Sequence, residues 1–242
     1  MLIIFSVTLA LLPPYLITFP FGKRFRRFFS YPFYRTLVHT AGLKLTVVGN
    51  PKNSDANFLI SNHVSYLDIP VLASMTDGIF VAKADVAKWP VIGFLAKIGR
   101  TQFVSRKATK AIAERDQIAS RLKSGERIFL FPEGSSGNGR DILPFKPGLL
   151  STALLPFDGV DISIQPVSLV YGDFDTQEER DLYAWYGDMD LAPHVWRLLG
   201  QKQKTTAKII FHNEKKPDEF KCRKELAKWA ELEIRQQMEL CA

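Results

Sequence analysis

Polar and apolar residues divide the chain into three regimes. Residues 1–22 carry no charge and are mostly Leu, Ile, Phe and Val. Lys23-Arg24-Phe25-Arg26-Arg27-Phe28-Phe29 then interleaves cations with aromatic rings. Beyond Gly49-Asn50-Pro51, short apolar runs alternate with amphipathic segments. The runs at 58–61, 79–82, 102–105, 128–131, 162–170 and 207–211 predict strands. Between them, residues 108–122 put Ala108, Ala111, Ile112, Ile118, Ala119 and Leu122 on one helical stripe that Ser124-Gly125 ends. Residues 218–238 repeat this with Cys222, Leu226 and Trp229, and add a Glu231/Arg235 pair. Strand–helix alternation predicts an α/β fold, a central mixed sheet flanked by helices. The expected division is an apolar N-terminal helical segment at 1–50 and a globular domain at 51–242.

Composition narrows the class. Hydrophobic residues at 46%, charged residues at 24%, 15 Gly and 14 Pro exclude disorder, collagen-like repeats and a polytopic membrane bundle. Cys222 and Cys241 frame neither a disulfide scaffold nor a zinc knuckle, which points to a reducing compartment.

Charge changes the picture more. Of the net +7, six charges lie in residues 1–50, on Lys23, Arg24, Arg26, Arg27, Arg35 and Lys44, with no acid among them. A nucleic-acid binder spreads its cations over a recognition face, so no nucleic-acid partner is expected. Cations directly after an apolar run read instead as a membrane anchor on an anionic surface, here the cytoplasmic face of an inner membrane. About 20 apolar residues can cross ~30 Å of hydrocarbon. Pro13, Pro14 and Pro20 interrupt a straight helix, so a broken or shallow insertion stays equally open. A secretory signal fits less well, because the cations follow the apolar run. A buried core helix is the remaining alternative.

Two segments carry candidate chemistry. In Asn62-His63-Val64-Ser65-Tyr66-Leu67-Asp68, the Ser65-x-x-Asp68 spacing resembles a capping box, with Asp68 in the first helical turn and His63 in the loop before it. Within one regular helix the two would stand about 140° apart, so they meet only because His63 precedes the helix. An Asp on one imidazole nitrogen fixes the tautomer and leaves the other as a base. Alternatively, Asp68 merely caps the helix. The second segment runs from Phe131-Pro132-Glu133-Gly134-Ser135 through Arg140. Gly134 to Gly139 has phosphate-loop spacing, but Arg140-Asp141 replaces the required Lys-Ser/Thr. The G-x-S-x-G elbow of serine hydrolases fails at Asn138. A plain surface turn is the bland alternative.

Together these segments resemble the glycerolipid acyltransferase superfamily, in particular the bacterial lysophosphatidic acid (1-acylglycerol-3-phosphate) O-acyltransferases. The resemblance covers roughly residues 55–170 and rests on four motifs in order. His63 and Asp68 match the NHxSxxD motif. Phe103-Val104-Ser105-Arg106 matches the second, whose arginine contacts the acceptor's phosphate. Phe131-Pro132-Glu133-Gly134-Ser135 matches FPEG, with Phe145-Lys146-Pro147-Gly148 at the FKxG position. Gln165-Pro166-Val167 matches the fourth.

The resemblance implies His63 and Asp68 as the catalytic pair, and Arg106, Glu133, Gly134, Ser135, Lys146 and Pro166 as substrate-binding residues. It implies a fatty acyl group moving from acyl-CoA or acyl carrier protein to the sn-2 hydroxyl of 1-acyl-glycerol-3-phosphate, giving phosphatidic acid. No cofactor or metal is expected. One departure matters. The family's arginine soon after FPEG-Thr is absent, with Ser136 near that place and Arg140 only after a glycine-rich turn. Acylation of another lyso-lipid, such as lyso-ornithine lipid, is therefore the alternative. A lipid-ester hydrolase, revealed by acceptor-free release of fatty acid, and a lipid-binding module without need of His63 remain rivals.

The pairs Asp173/Asp175 and Asp188/Asp190 have the D-x-D form of metal-dependent sugar transferases, but no nucleotide-binding context surrounds them. Trp185, Tyr186, His194 and Trp196 form an aromatic group that reads first as core packing.

Overall fold

The computed structural model describes residues 2–49, 57–105, 107–201 and 204–239. Two helices come first, α1 (Leu2–Ile17) and α2 (Lys23–Thr40), joined by a 3-10 turn at Phe19–Phe21. At 1.5 Å per residue, α1 reaches only about 24 Å. No helix among the described residues is long and apolar enough to cross a membrane. The two helices pack on each other and dock on the domain through specific polar contacts. Tyr15 donates to the Ile98 carbonyl at 3.1 Å, and the Arg27 guanidinium donates to the carbonyls of Ala73 and Thr76.

The chain continues through β1 (Leu43–Val48), β2 (Phe58–Ser61), α3 (Asp68–Ala73), β3 (Ile79–Lys83), α4 (Ile92–Ile98), β4 (Gln102–Val104), α5 (Ala111–Lys123) and β5 (Ile128–Leu130). It closes with β6 (Ile164–Tyr171), α6 (Gln177–Arg180), α7 (Leu191–Gly200), β7 (Thr205–Phe211) and α8 (Arg223–Glu239). The seven strands form one sheet in the order β1-β7-β6-β2-β5-β3-β4. Only the β6–β7 pairing is antiparallel, so the sheet is mixed, as the alternation of elements predicts. All six expected strands are present within two residues of their expected ends. β1 was not expected: it precedes the boundary at residue 50, yet pairs with β7 along its whole length.

Central strands are apolar on both sides because both sheet faces are covered. Leu59, Phe129, Val167 and Leu169 point to the face covered by α2, α3 and α7, while Phe58, Ile60, Ile128 and Leu130 point to α5 and α8. The expected stripe on α5 is only half right. Ile118, Ala119 and Leu122 are buried, but Ile112 is exposed and Glu114 takes an inward place. The reason is polar: Glu114 accepts the Ser105 N–H at 2.6 Å, tying α5 to the end of β4. On α8 the buried stripe is Leu226, Ala230 and Ile234, with the Glu231–Arg235 pair at 3.2 Å, whereas Cys222 lies exposed ahead of the helix.

Candidate active site

Parallel strands β2 and β5 lie side by side, so the loops leaving their carboxyl ends meet. The β2 loop carries His63, and the β5 loop carries Phe131 and Glu133. Asn62 fixes the first loop to the neighbouring strand, donating to the Leu169 carbonyl at 2.9 Å and accepting the Leu169 N–H at 2.8 Å. The His63 ring stacks on Phe131 with centroids 4.3 Å apart.

His63 Nδ1 and Asp68 Oδ2 are 2.6 Å apart. Asp68 is fully buried and saturated: Oδ2 also accepts the N–H groups of Val64 and Ser65 at 2.7 and 3.0 Å, and Oδ1 accepts the Tyr171 hydroxyl at 2.7 Å. A carboxylate that receives only donors assigns the proton on this ring edge to His63 Nδ1. Nε2 is then the nitrogen with a lone pair, and the side chain keeps 22% exposure through which a hydroxyl can reach it. Burial beside Asp68 drives the Tyr171 hydroxyl well above its ordinary titration range, so it remains a donor.

One expectation needs correction. α3 begins at Asp68 with Leu67 before it, and no side chain caps it. The capping box does not form because the Asp68 carboxylate turns back over the loop, and the buried Ser65 hydroxyl is left without a partner. The backbone donors nearest His63, those of Val64 and Ser65, are both taken up by Asp68.

Glu133 is 1% exposed and faces inward. Its Oε1 accepts the His63 N–H at 2.6 Å and its Oε2 accepts the Leu143 N–H at 2.8 Å, so one carboxylate joins the His63 loop to the segment after the glycine-rich turn. Burial pushes this carboxyl from 4.5 up to about 7; the two backbone N–H bonds and His63 pull it down, and Asp68 raises it. A folded-state value above the unfolded one means that the native state holds the extra proton between pH 4.5 and 7. Stability contributed by Glu133 should thus be greatest at the acid end and fall as pH rises through 7. Urea unfolding across that range should show this decline for the unaltered chain and its absence in Glu133→Gln. The glutamine offers one acceptor to two donors, so the variant should lose about 1–3 kcal/mol and some turnover as well.

The other expected site residues are spread around this pair. Gly134 adopts φ +67°, and a Cβ there would come 3.1 Å from Lys146 Nζ. Lys146, an exposed residue, donates through Nζ to the Glu133 carbonyl at 2.8 Å. Ser135 and Arg140 are exposed on the turn, and Gly139 of that turn lies against Val64. Pro166 is buried in β6 opposite Ile60, where its carbonyl accepts from the His212 N–H at 3.0 Å. Arg106 lies outside the described residues. Tyr171 escaped sequence reasoning, and its one signal is a hydroxyl-bearing residue ending an apolar strand.

The aromatic group is divided. His194 is buried, Nε2 facing the carbonyls of Asp181 and Ala184 and Nδ1 facing the Tyr66 hydroxyl at 2.9 Å. Two carbonyl acceptors put the proton on Nε2, so Tyr66 donates to Nδ1; burial lowers this imidazole's pKa. Trp196 is exposed. Among the described residues, no group of three or more His, Cys, Asp or Glu is placed to hold a metal ion.

An imidazole held by a buried carboxylate at the carboxyl ends of parallel strands is an arrangement that can deprotonate a hydroxyl or water. The Acyltransferase family model matches residues 44–170, which includes both loops. The chain belongs to the Acyltransferase family and is an acyl-transfer enzyme. It is 34% identical to the lyso-ornithine lipid O-acyltransferase of Rhodobacter capsulatus over 84% of this chain and 73% of that protein. It is 27% identical to the 1-acyl-sn-glycerol-3-phosphate acyltransferase of Neisseria gonorrhoeae over 66% of this chain and 61% of that one. Its fold is similar to the crystal structure of the 1-acyl-sn-glycerophosphate (LPA) acyltransferase from Thermotoga maritima. The TM-score is 0.65 at 19% identity, covering 90% of this chain and 80% of that chain.

Proposed function

We propose that the chain transfers a fatty acyl group from a thioester, acyl-CoA or acyl carrier protein, to the sn-2 hydroxyl of 1-acyl-glycerol-3-phosphate. The observation that carries this reading is the 2.6 Å contact between His63 Nδ1 and a saturated, buried Asp68, which leaves Nε2 as the base. Nε2 takes the acceptor's hydroxyl proton as the oxygen attacks the thioester carbonyl. The tetrahedral intermediate collapses, the carbon–sulfur bond breaks, and the imidazolium returns the proton to the leaving thiolate. General base catalysis of this kind supplies ~10²–10⁴-fold. Arg106 and Lys146 bind the acceptor's phosphate, Arg106 through its planar fork and Lys146 as a point charge. The enzyme works at the cytoplasmic face of an anionic membrane, a reading supported by the six uncompensated cations of residues 1–50 and the exposed Leu9, Ile17, Phe21 and Phe28.

The second reading, lyso-ornithine lipid as acceptor, is favoured by the higher identity and longer coverage of the Rhodobacter capsulatus relative. One assay separates the two. Purified protein in detergent, given labelled acyl-CoA and a panel of lyso-lipids, should acylate lysophosphatidic acid, and Lys146→Ala should raise KM for that acceptor about tenfold while KM for the donor holds. Product from lyso-ornithine lipid alone would replace the first reading with the second. Release of free fatty acid without any acceptor would sink both.

A further inference from the structure

The membrane reading rests on the N-terminal helices, but a second part of the surface has the same chemistry. Residues 83–110 hold seven Lys and Arg against Asp85 alone, a net +6. With +6 in residues 1–50 and +7 overall, the remaining residues are net −5. Positive charge is thus gathered in two stretches. The second stretch includes the crossover from β3 to the edge strand β4, built from a 3-10 helix at Ala84–Lys88 and from α4; the crossover itself carries Lys88, Lys97 and Arg100 against Asp85, with Arg100 paired to Glu126.

The tip of this crossover is apolar. Val91 is 70% exposed and Phe94 55%, and Pro90 beside them is exposed too. Val91 holds φ +62° and ψ −60°, a conformation that a β-branched residue rarely adopts. The fold keeps it there through Gly93, where a Cβ would meet the carbonyls of Ala87 and Val86 at 2.6 and 2.7 Å. α4 therefore lies directly on the 3-10 helix. Lys88 and Lys97 are exposed along the same element.

We infer that the Ala84–Ile98 crossover is a second lipid-contacting element: Pro90, Val91 and Phe94 enter the interface of an anionic bilayer while Lys88 and Lys97 pair with lipid phosphates. An acidic protein would match the cations but would also need a pocket for Val91 and Phe94; a bilayer accommodates both kinds of group. The surface is continuous with α1, which bonds α4 through Tyr15 and the Ile98 carbonyl and exposes Leu9, Leu16 and Ile17. It is also coupled to the catalytic loop. Trp89 meets Trp185 edge-to-face at 5.9 Å, and the Trp185 backbone N–H donates to the Val64 carbonyl, next to His63, at 3.0 Å. Docking of the tip sets the depth at which His63 faces lipid-borne acceptor.

The test is vesicle binding by the full chain, without donor or acceptor, so that it is independent of which reaction the enzyme performs. Sedimentation with phosphatidylcholine vesicles, with and without phosphatidylglycerol, is compared across variants whose thermal unfolding matches the unaltered chain. Val91→Ser/Phe94→Ser should weaken binding to both vesicle types about tenfold. Lys88→Gln/Lys97→Gln should erase most of the preference for phosphatidylglycerol, about fivefold per lysine. Turnover on detergent-dispersed acceptor should stay level in both. Val91→Gly, which relaxes the backbone and removes the side chain, guards against misfolding and should also bind more weakly. Vesicle affinity unchanged in Val91→Ser/Phe94→Ser, or in Val91→Gly if the double variant does not fold, overturns the inference.

Discussion

Replacing His63 by alanine should lower kcat by about 10²–10⁴-fold with little change in folding, because on the proposed mechanism it removes the nitrogen that takes the acceptor proton and leaves its supports standing. Asn62 still clamps Leu169, and the Glu133 bond to residue 63 is made to the backbone, which alanine keeps. The side chain lost is partly exposed and touches Phe131 on one face, so the packing cost is small. Thiol release from acyl-CoA measures the rate, and thermal unfolding measures the fold. KM values for donor and acceptor should hold, since a base acts on the transition state more than on binding. Near-native turnover by the folded variant would remove His63 from the mechanism.

Asp68→Asn is expected to cost nearly as much, about 10²–10⁴-fold in kcat, for a different reason. The asparagine carbonyl can take the place of Oδ2 and keep the His63, Val64 and Ser65 bonds. Its amide nitrogen then faces the Tyr171 hydroxyl, which must turn to accept. Geometry survives, but the negative charge that stabilises the forming imidazolium is gone. The double variant His63→Ala/Asp68→Asn should therefore be no slower than His63→Ala alone, because Asp68 acts through the imidazole. Additive losses in that cycle would mean that Asp68 serves some step without His63.

Local pattern is reliable here where the cause is local. Apolar runs bounded by turn residues mark six strands, since a strand buried on both faces is apolar at most of its positions. The order of the motifs, and the place of His63 before a helix with Asp68 in its first turn, are equally readable: a histidine and an aspartate five residues apart can meet only across a loop. β1 was missed because its burial is one-sided and its residues adjoin the basic segment. Ile112 was misassigned because helical period does not say which apolar residue will be displaced by a carboxylate such as Glu114 that has a backbone N–H to satisfy.

The sequence by itself therefore determined the class of fold, the catalytic pair as a candidate, and the ordered set of loops that surround it. Tertiary structure alone decided what those loops do to one another. Strand order puts β2 between β5 and β6, and only then does Tyr171, 103 residues away, reach Asp68, and Glu133, 70 residues away, reach the His63 N–H. Sequence spacing cannot carry this information, because the partners of a buried carboxylate are set by which strands are neighbours and in what register. Glu133 could thus be recognised as an unusual residue at a strand end, while its inward orientation follows from two backbone N–H groups that become adjacent only when the sheet has formed.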